Sequence, residues 1–477
     1  MGRLENYSLL KVMETVSDFD KLKHLYWRAG CGPEISMINS NLTVKSAIDK
    51  IFNDAKGYTE IKMEEDDALD TYDLKNQDMT MHEMARIEDK ESRSSKRALL
   101  LRDWLHAYAF NSNFFREKMA IFWGIHFACK MGDPKICWQY MNMLRKNALG
   151  NFKDLLVSVS TSAGMLSYLN LNVNTKGKPN ENFSRELLEL FTLGHGNFTE
   201  QDVKNGTRAL TGWYAKKGTF EFMFDQQKFD AGTKTFLGET GNFNGFDIIN
   251  IILKQKQCAR FVVQKIYRFF VNDNLNDERV EELAEYFYTN NYDIEKLMKK
   301  VFLSAWFYEA ENIGAKLKTP YDLLAGIMKF YRYKFEDYQS FRACVSFFGH
   351  DIFHPPSVAG WNFDRGSIDS ASLLLRLDAS RRMFQNNNYK IIEKENATIR
   401  MGNLVKMDLP TVTIEVENAK KYFKAGKGIE SSQKMIDFLI QRRDKKFNVN
   451  SKFINANEYD FIETSRRIMS APEYQFC

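Results

Sequence analysis

The chain of 477 residues contains few cysteines, and their spacing suits neither a zinc site nor a disulfide framework. The 6 cysteines stand at positions 31, 129, 137, 258, 344 and 477. None belongs to a CxxC pair, which disfavours a zinc finger, and they are too sparse to hold together a disulfide scaffold. We therefore expect reduced thiols in a reducing compartment.

Long apolar runs are also missing from the sequence. No window reaches the roughly 18 consecutive apolar residues that a membrane-spanning helix requires. The N-terminal residues have neither the apolar run of a signal peptide nor a pair of adjacent arginines. The cytoplasm is therefore the expected compartment, and export together with a partner stays open.

The sequence also lacks a strong charge of one sign and the common catalytic motifs. The formal net charge is only +5, and the basic runs at 216–217 and 442–446 are short, so no nucleic-acid partner is expected. The 7 histidines include no HExxH, and neither a GxSxG nucleophile turn nor a GxxxxGK phosphate loop occurs. The motifs therefore identify no reaction, and the cofactor stays unknown.

Aromatic residues are abundant and predict a large helical core. They make up 14% of the chain, with 38 Phe. Apolar residues recur at helical spacing through most of the sequence, whereas 213–237 is aromatic, β-branched and rich in turns. We expect a mainly α protein: a large multi-helix globular body with a small β-hairpin or ribbon insertion near 213–237.

Three regions are expected along the chain. Residues 1–98 would form N-terminal helices and a charged excursion, 99–386 the main helical body, and 387–477 a connector with C-terminal helices packed on the body. Within the main body, Thr199 followed by Asp202 predicts a capping box at the start of a helix over 200–211.

The densest polar motif is PNENFSRELLELF at 179–191, on a helix expected over 181–192. Its apolar stripe consists of Phe183, Leu187, Leu190 and Phe191. Asn182, Glu186 and Glu189 follow beside that stripe at i, i+4 and i+7. Two neighbouring carboxylates can bind a cation together. They can also repel each other so that their two pKa values differ, as acid–base chemistry requires.

From spacing alone, a structural explanation of the same motif is favoured. Glu181 and Glu189 are each four residues from Arg185, and such opposite-charge pairs stabilise a helix without any further function. Two histidines stand as further catalytic candidates beside Glu186 and Glu189: His126 on an aromatic helix and His195 just after the motif. The candidate ligand-binding residues are Asn180, Asn182, Arg185, Arg208, Trp213, His354 and Trp361. No residue is proposed as a metal ligand.

The chain resembles the bacterial family called domain of unknown function 1800. The segments that carry the resemblance are 24–33, 122–127, 145–154, 179–194, 198–213, 232–238 and 355–361, in the order expected for the family, with 472–475 at the end. The long segment PNENFSRELLELFTLG is the most specific of them. The resemblance implies a largely helical fold and no particular reaction. It also implies an association with a sulfatase-like protein partner, because genes of the two families often lie side by side.

The sequence departs from the family pattern at several polar positions. Gly124 stands where the family has a histidine two residues before His126, and Phe229 replaces another histidine. Ser162 and Asn170 stand where acidic residues are usual. A metal site built on those family positions would lack several ligands here, because glycine and phenylalanine cannot bind a metal.

Three functions follow from these observations. The favoured one is a binding or accessory protein with a buried polar pocket built on the Asn180 to Glu189 helix. The first alternative is a hydrolase that uses Glu186 or Glu189 as the acid–base, with Arg185 or Arg208 holding an anionic group and with possible help from a metal. The second alternative is a purely structural polar network.

Overall fold

The computed structural model describes residues 16–39, 41–63, 81–335, 341, 351–361, 368, 370–384, 412–413, 416–424, 428–441 and 460–477. Most of the connector expected from residue 387 onwards, and the first 15 residues, lie outside the described residues. The helices and strands below are those of the described part.

Helices dominate this part of the chain and confirm the mainly α fold. They are α1 (Asp18–Ala29), α2 (Val44–Asp54), α3 (Met81–Phe110), α4 (Phe114–His126), α5 (Pro134–Asn147), α6 (Phe152–Ser160), α7 (Ala163–Tyr168), α8 (Asn182–Glu186), α9 (Glu200–Ala209), α10 (Gly245–Leu253), α11 (Lys256–Phe270), α12 (Asp277–Thr289), α13 (Ile294–Leu303), α14 (Pro320–Tyr331), α15 (Ser370–Phe384), α16 (Glu417–Phe423), α17 (Gly428–Leu439) and α18 (Phe461–Met469). Short 3-10 turns occupy Ile35–Asn39, Leu171–Val173, Ala305–Tyr308 and Pro472–Gln475.

The strands form small antiparallel pairs. β1 (Trp213–Ala215) pairs with β2 (Phe222–Phe224), and β3 (Lys234–Phe236) pairs with β4 (Glu239–Gly241). The expected β insertion near 213–237 is therefore confirmed, and its second hairpin continues to residue 241. A further pair joins β5 (Lys334–Phe335) to β6 (Val412–Thr413).

Side-chain caps explain where several helices begin. The hydroxyl of Thr199 accepts from the backbone N–H of Asp202, whose carboxylate accepts from the N–H of Thr199, as the spacing predicted. The helix ends at Ala209, two residues earlier than expected. Thr319 and Asp322 make the same reciprocal cap on α14, with Pro320 in the first turn.

One apolar cluster joins distant parts of the chain, from Leu22 to Cys477. It includes residues of all three expected regions, and the division into those regions stays a prediction. Residues 81–98, expected in a charged excursion, form the first part of α3. Within the described residues, no helix combines the length and apolar character needed to cross a membrane.

A buried ion pair fixes α4 against α5. Nε and Nη2 of Arg145 donate to the two carboxylate oxygens of Glu117 at 2.6 and 2.8 Å, and the indole N–H of Trp104 donates to the same carboxylate at 2.9 Å. Both charged residues are almost fully buried. Because each charge is paired and hydrogen-bonded, α4 has a defined position against its neighbours.

Candidate functional site

The polar motif helix is α-helical only for its first turn. α8 ends at Glu186, and a π-helical turn follows over Leu187–Thr192. The N–H of Leu193 donates to the carbonyl of Leu188 at 2.8 Å, and the hydroxyl of Thr192 donates to that of Leu187 at 2.5 Å. Both bonds span five residues and hold the wider turn in place of the regular helix expected over 181–192.

The two carboxylates of the motif lie at the surface beside their buried apolar stripe. Phe183, Leu187 and Phe191 are buried as expected, whereas Glu186 and Glu189 are partly exposed. Partial burial and the neighbouring Glu189 raise the pKa of Glu186. The Nδ1 atom of the exposed His195 lies 3.8 Å from Glu189.

The two candidate arginines are held by different carboxylates. Arg185 donates to both oxygens of Glu200 at 2.8 and 2.7 Å. Arg208 donates to Asp230 at 2.7 and 3.1 Å and to the carbonyl of Thr233. These pairs connect α8 to α9 and α9 to the loop before β3, so each guanidinium has a structural partner.

The candidate amides make local backbone contacts in the approach to α8. The N–H of Asn180 donates to the side chain of Asn174 at 3.0 Å, and the N–H of Asn182 donates to the side chain of Asn180 at 3.2 Å.

Two of the remaining candidates belong to separate groups of contacts. Trp213 is buried against the rings of Phe222 and Phe246, with centroids 5.1 and 4.9 Å away. His354 lies 3.2 Å from Asp351 through Nδ1 and 3.4 Å from Arg97 through Nε2. Neither group shares a contact with the carboxylates of the motif among the described residues.

His126 and Trp361 instead line one cavity of about 200 Å³, together with Leu190 of the π turn. Nε2 of His126 lies 3.1 Å from the carbonyl of Phe191. A carbonyl can only accept, so Nε2 carries the proton and donates. Burial lowers the pKa of His126 to about 3, and the nearby Lys265 acts in the same direction. The motif helix therefore contributes to the cavity through its apolar side, with a neutral imidazole beside it.

Among the described residues, more positive than negative side chains line the cavity. The cations are Arg28, Lys118, Lys265, Arg268 and Lys316. Two of them are neutralised, because Lys118 pairs with Asp322 at 2.5 Å and Lys316 pairs with Asp273. The other three form no ion pair within the described residues.

Arg28 is the most deeply buried of the three, with 2% of its surface exposed. Its Nη2 donates to the carbonyl of Asn312 at 2.7 Å, whereas Nε and Nη1 have no hydrogen-bond partner among the described residues. Burial lowers the pKa of this guanidinium, while Cys477, Asp273 and Asp322 act in the opposite direction.

Two helices supply adjoining walls of the cavity. Lys118, Phe122 and His126 follow one another at four-residue spacing on α4 and therefore share a face. On α11, Lys265 and Phe269 have the same spacing. The rings of Phe122 and Phe269 are 5.2 Å apart, and the ammonium of Lys118 lies 5.2 Å from the centre of Phe269.

Exposure changes from one end of the cavity to the other. Arg268 and Ala359 are exposed, and Leu190 and Trp361 are partly exposed, so these residues mark the mouth. Arg28, Lys118 and Asp322 are buried and mark the floor, which also includes Lys316 and Thr319.

The floor was not identified from the sequence. Arg28 lies inside segment 24–33, which carries the family resemblance, and Lys118 lies on the same aromatic helix as His126. A lysine on the apolar face of a helix is unusual enough to be a signal. The role of Lys118 depends on its partner Asp322, which lies more than 200 residues later in the chain. No local sequence pattern connects the two residues.

The family described as protein of unknown function (DUF1800) matches residues 24–476 of the chain. The chain belongs to the DUF1800 family. The resemblance drawn from its motifs is thereby confirmed, including the largely helical fold. No curated protein and no solved structure matches the chain.

At three positions this DUF1800 protein lacks the histidine or acidic residue that is usual in the family, and the structure shows the role of the residue present. A Cβ atom at Gly124 would lie 2.7 Å from Cδ1 of Ile352, so a histidine there would require the Ile352 side chain to shift. Ser162 caps α7 by accepting from the N–H of Met165, and Asn170 adopts a left-handed conformation with φ 61°. The described residues contain no group of three or more histidines, cysteines or acids placed to hold a metal ion.

Proposed function

We propose that this DUF1800 protein is a binding or accessory protein that holds a small anionic ligand in the cavity between α4 and α11. The observation that carries the proposal is the buried Arg28, whose Nε and Nη1 lack partners among the described residues. A guanidinium stays charged and has five N–H donors but no acceptor, so only an acceptor can satisfy it.

The energetic argument is that an unpaired buried charge is costly. Removing an ion from water costs several kcal/mol, and the cost is recovered only where an opposite charge and hydrogen bonds replace the water. The carbonyl of Asn312 supplies one such bond to Arg28. An anion in the cavity would supply further bonds that are charge-assisted and therefore strong.

The cations nearer the mouth support the same conclusion. Lys265 and the exposed Arg268 line the cavity without an ion pair among the described residues. Cationic side chains along a cleft raise the local concentration of anions and their association rate. The residual positive charge would therefore attract an anion at the entrance and hold it at Arg28.

Calorimetric titration of the full chain with acetate, phosphate and benzoate tests this function. We expect at least one anion to bind saturably, with an affinity that falls as salt rises. Arg28→Gln should weaken that binding by about tenfold or more, since a charge-assisted bond contributes about 1.5–3 kcal/mol. Arg268→Gln, at the exposed mouth, is the second variant in case Arg28→Gln does not fold.

The matched control is Arg260→Gln, on the same helix as Arg268. Arg260 pairs at the surface with Glu281, and it does not line the cavity. Its variant should bind like the wild type. If none of the three anions binds at millimolar concentration, or if all three arginine variants bind equally, the proposed function is overturned.

The hydrolase is the second candidate, and the raised pKa of Glu186 is the observation that favours it. Glu186 does not line the cavity. Glu186→Gln should therefore leave anion binding unchanged. A hydrolytic activity abolished by this variant, without loss of binding, would favour a second, surface-located centre.

The cytoplasm stays the proposed compartment. The described cysteines, Cys31, Cys129, Cys137, Cys258 and Cys477, are buried free thiols, which suits a reducing environment. An association with a sulfatase-like protein is proposed on the family resemblance alone, and co-purification with such a protein would test it.

A further inference from the structure

The cavity has aromatic walls between its charged floor and its mouth. The aromatic side chains are those of Trp27, Phe122, Phe269 and Trp361. Ile125, Leu190 and Leu317 add aliphatic surface. An inorganic anion bound at Arg28 would leave these walls without an apolar contact, whereas a ligand with an apolar part would cover them.

The volume limits the size of that apolar part. A buried apolar cavity of about 150 Å³ accepts a benzene molecule. The cavity here is about 200 Å³, which leaves room for one ring and one small acidic group. A ligand with two fused rings would extend beyond this volume through the exposed mouth.

The order of the lining residues separates the two parts of such a ligand. Lys118 and His126 are eight residues apart on α4, which is about 12 Å along a helix. Phe122 lies midway between them and faces Phe269 at 5.2 Å. Charged groups therefore occupy the floor near Lys118 and Arg28, and aromatic rings occupy the middle.

The charge of the floor limits the charge of the ligand. Arg28, Lys118 and Lys316 contribute three positive charges there, and Asp273 and Asp322 contribute two negative ones. The described side chains of the floor thus have an excess of one positive charge, and Cys477 offsets part of it, since it raises the pKa of Arg28 as a negative charge would. The floor therefore suits at most one further negative charge, and a dianion would be repelled by the aspartates.

We infer that the ligand is a small aromatic monocarboxylic acid, with its carboxylate at Arg28 and its ring against Phe122, Phe269 and Trp361. This inference rests on the proposed function and adds the chemical class of the ligand. The planar ring would contact the aromatic walls in offset or edge-to-face geometry, as aromatic pairs prefer.

Titration calorimetry with matched probes at constant ionic strength tests this chemical class of ligand. Benzoate carries the ring and the charge, acetate only the charge, benzyl alcohol only the ring, and phosphate a higher charge without a ring. We expect benzoate to bind about tenfold or more tightly than acetate and phosphate, because burying the ring removes apolar surface from water. Benzyl alcohol should bind weakly or not at all, and the two-ring acid 2-naphthoate should bind no more tightly than benzoate.

Two variants test whether the preference for benzoate over acetate depends on the aromatic walls of the cavity. Phe122→Leu should reduce the affinity for benzoate and leave that for acetate unchanged, and Trp361→Leu at the mouth serves if the first variant does not fold. Phe246→Leu is the control, since Phe246 is exposed on α10 and does not line the cavity.

The outcomes distinguish this inference from the proposed function. If acetate or phosphate binds as tightly as benzoate and Arg28→Gln weakens both, the anion site stands and the aromatic class is wrong. If benzyl alcohol binds as tightly as benzoate, the carboxylate is irrelevant and the inference is overturned. If no probe binds, both proposals fail together.

Discussion

At the scale of single residues, His126 shows how burial determines the charge of a group in the cavity wall. Burial lowers its pKa to about 3, whereas the ordinary value is 6.5. The unfolded chain therefore takes up a proton at this residue as the pH falls below about 6.5, and the folded chain does not until about pH 3. The unfolded state binds more protons in that window, so stability falls as the pH falls.

This pH dependence is testable with His126→Gln. We expect the free energy of unfolding of the wild type to fall by up to about 1.4 kcal/mol per pH unit more steeply than that of the variant between roughly pH 6 and pH 4. Urea unfolding followed by circular dichroism measures both slopes. Other buried groups, including His24, are the same in both proteins and cancel in the comparison. Equal slopes would contradict a neutral, buried His126.

The environment of His126 could be predicted from the sequence only in part. Its place on an aromatic helix follows from the neighbouring Phe122 and Trp123. Its hydrogen-bond partner is the carbonyl of Phe191, 65 residues later, at a π turn that breaks the regular helical pattern. Because side-chain periodicity reports one element at a time, it does not show which carbonyl another element presents.

At the scale of elements, the close packing of α8 on α9 depends on Gly206. A Cβ atom at this position would lie 2.5 Å from the hydroxyl oxygen of Ser184 and 3.2 Å from the ring of Phe236. That hydroxyl donates to the carbonyl of Val203, so it cannot move away without losing a buried bond. Gly206 thus sets the distance between the polar motif and its neighbour.

Gly206→Ala should therefore destabilise the protein, although alanine favours a helix by about 1 kcal/mol over glycine. Overpacking of this kind costs about 1–3 kcal/mol, so the expected net loss is about 1 kcal/mol. Thermal unfolding measures it. The double variant Ser184→Ala/Gly206→Ala should be more stable than Gly206→Ala, because the clashing oxygen is gone. Gly132→Ala, where an added methyl group would meet nothing within 4 Å, should be near neutral.

Elements marked by a local sequence pattern, such as a capping pair, were predicted correctly. Elements without such a pattern were not. The cap of α9 at Thr199 was confirmed because both partners lie within one turn of each other. The aromatic and β-branched residues near 213–237 likewise located the hairpins. The π turn was missed, since its bond from Thr192 to Leu187 has no counterpart in a pattern of apolar residues.

At the scale of the whole molecule, the cavity is assembled from parts that are far apart in the chain. Trp27 and Arg28 come from α1, the adjoining aromatic walls from α4 and α11, and Lys316 and Cys477 from later segments. The fold class follows from helical periodicity. The meeting of these residues follows from the tertiary packing, which no spacing rule in the sequence encodes.

The chain from 472 to 477 closes the floor against α1. Lys316 and Cys477 exchange backbone hydrogen bonds at 3.1 and 2.8 Å. The ammonium of Lys318 lies 3.7 Å from the ring centre of Trp27 and 3.4 Å from that of Tyr474, and it donates to the carbonyl of Tyr474 at 2.5 Å. The ring of Tyr474 thus covers the buried ammonium of Lys318. The two chain neighbours of Lys318, Leu317 and Thr319, line the cavity.

Tyr474→Ala should lower the free energy of unfolding by about 3–5 kcal/mol, the usual cost of removing a buried aromatic side chain. It should also weaken anion binding, because Lys316, Leu317 and Thr319 lose their support. Tyr474→Phe is the matched control: the hydroxyl of Tyr474 has no hydrogen-bond partner among the described residues, so its removal should change stability by less than about 1 kcal/mol. Chemical unfolding and benzoate titration of both variants measure the two effects. If Tyr474→Phe loses as much stability as Tyr474→Ala, the hydroxyl rather than the ring closes the floor, and the role assigned to the contact between Lys318 and the ring is wrong.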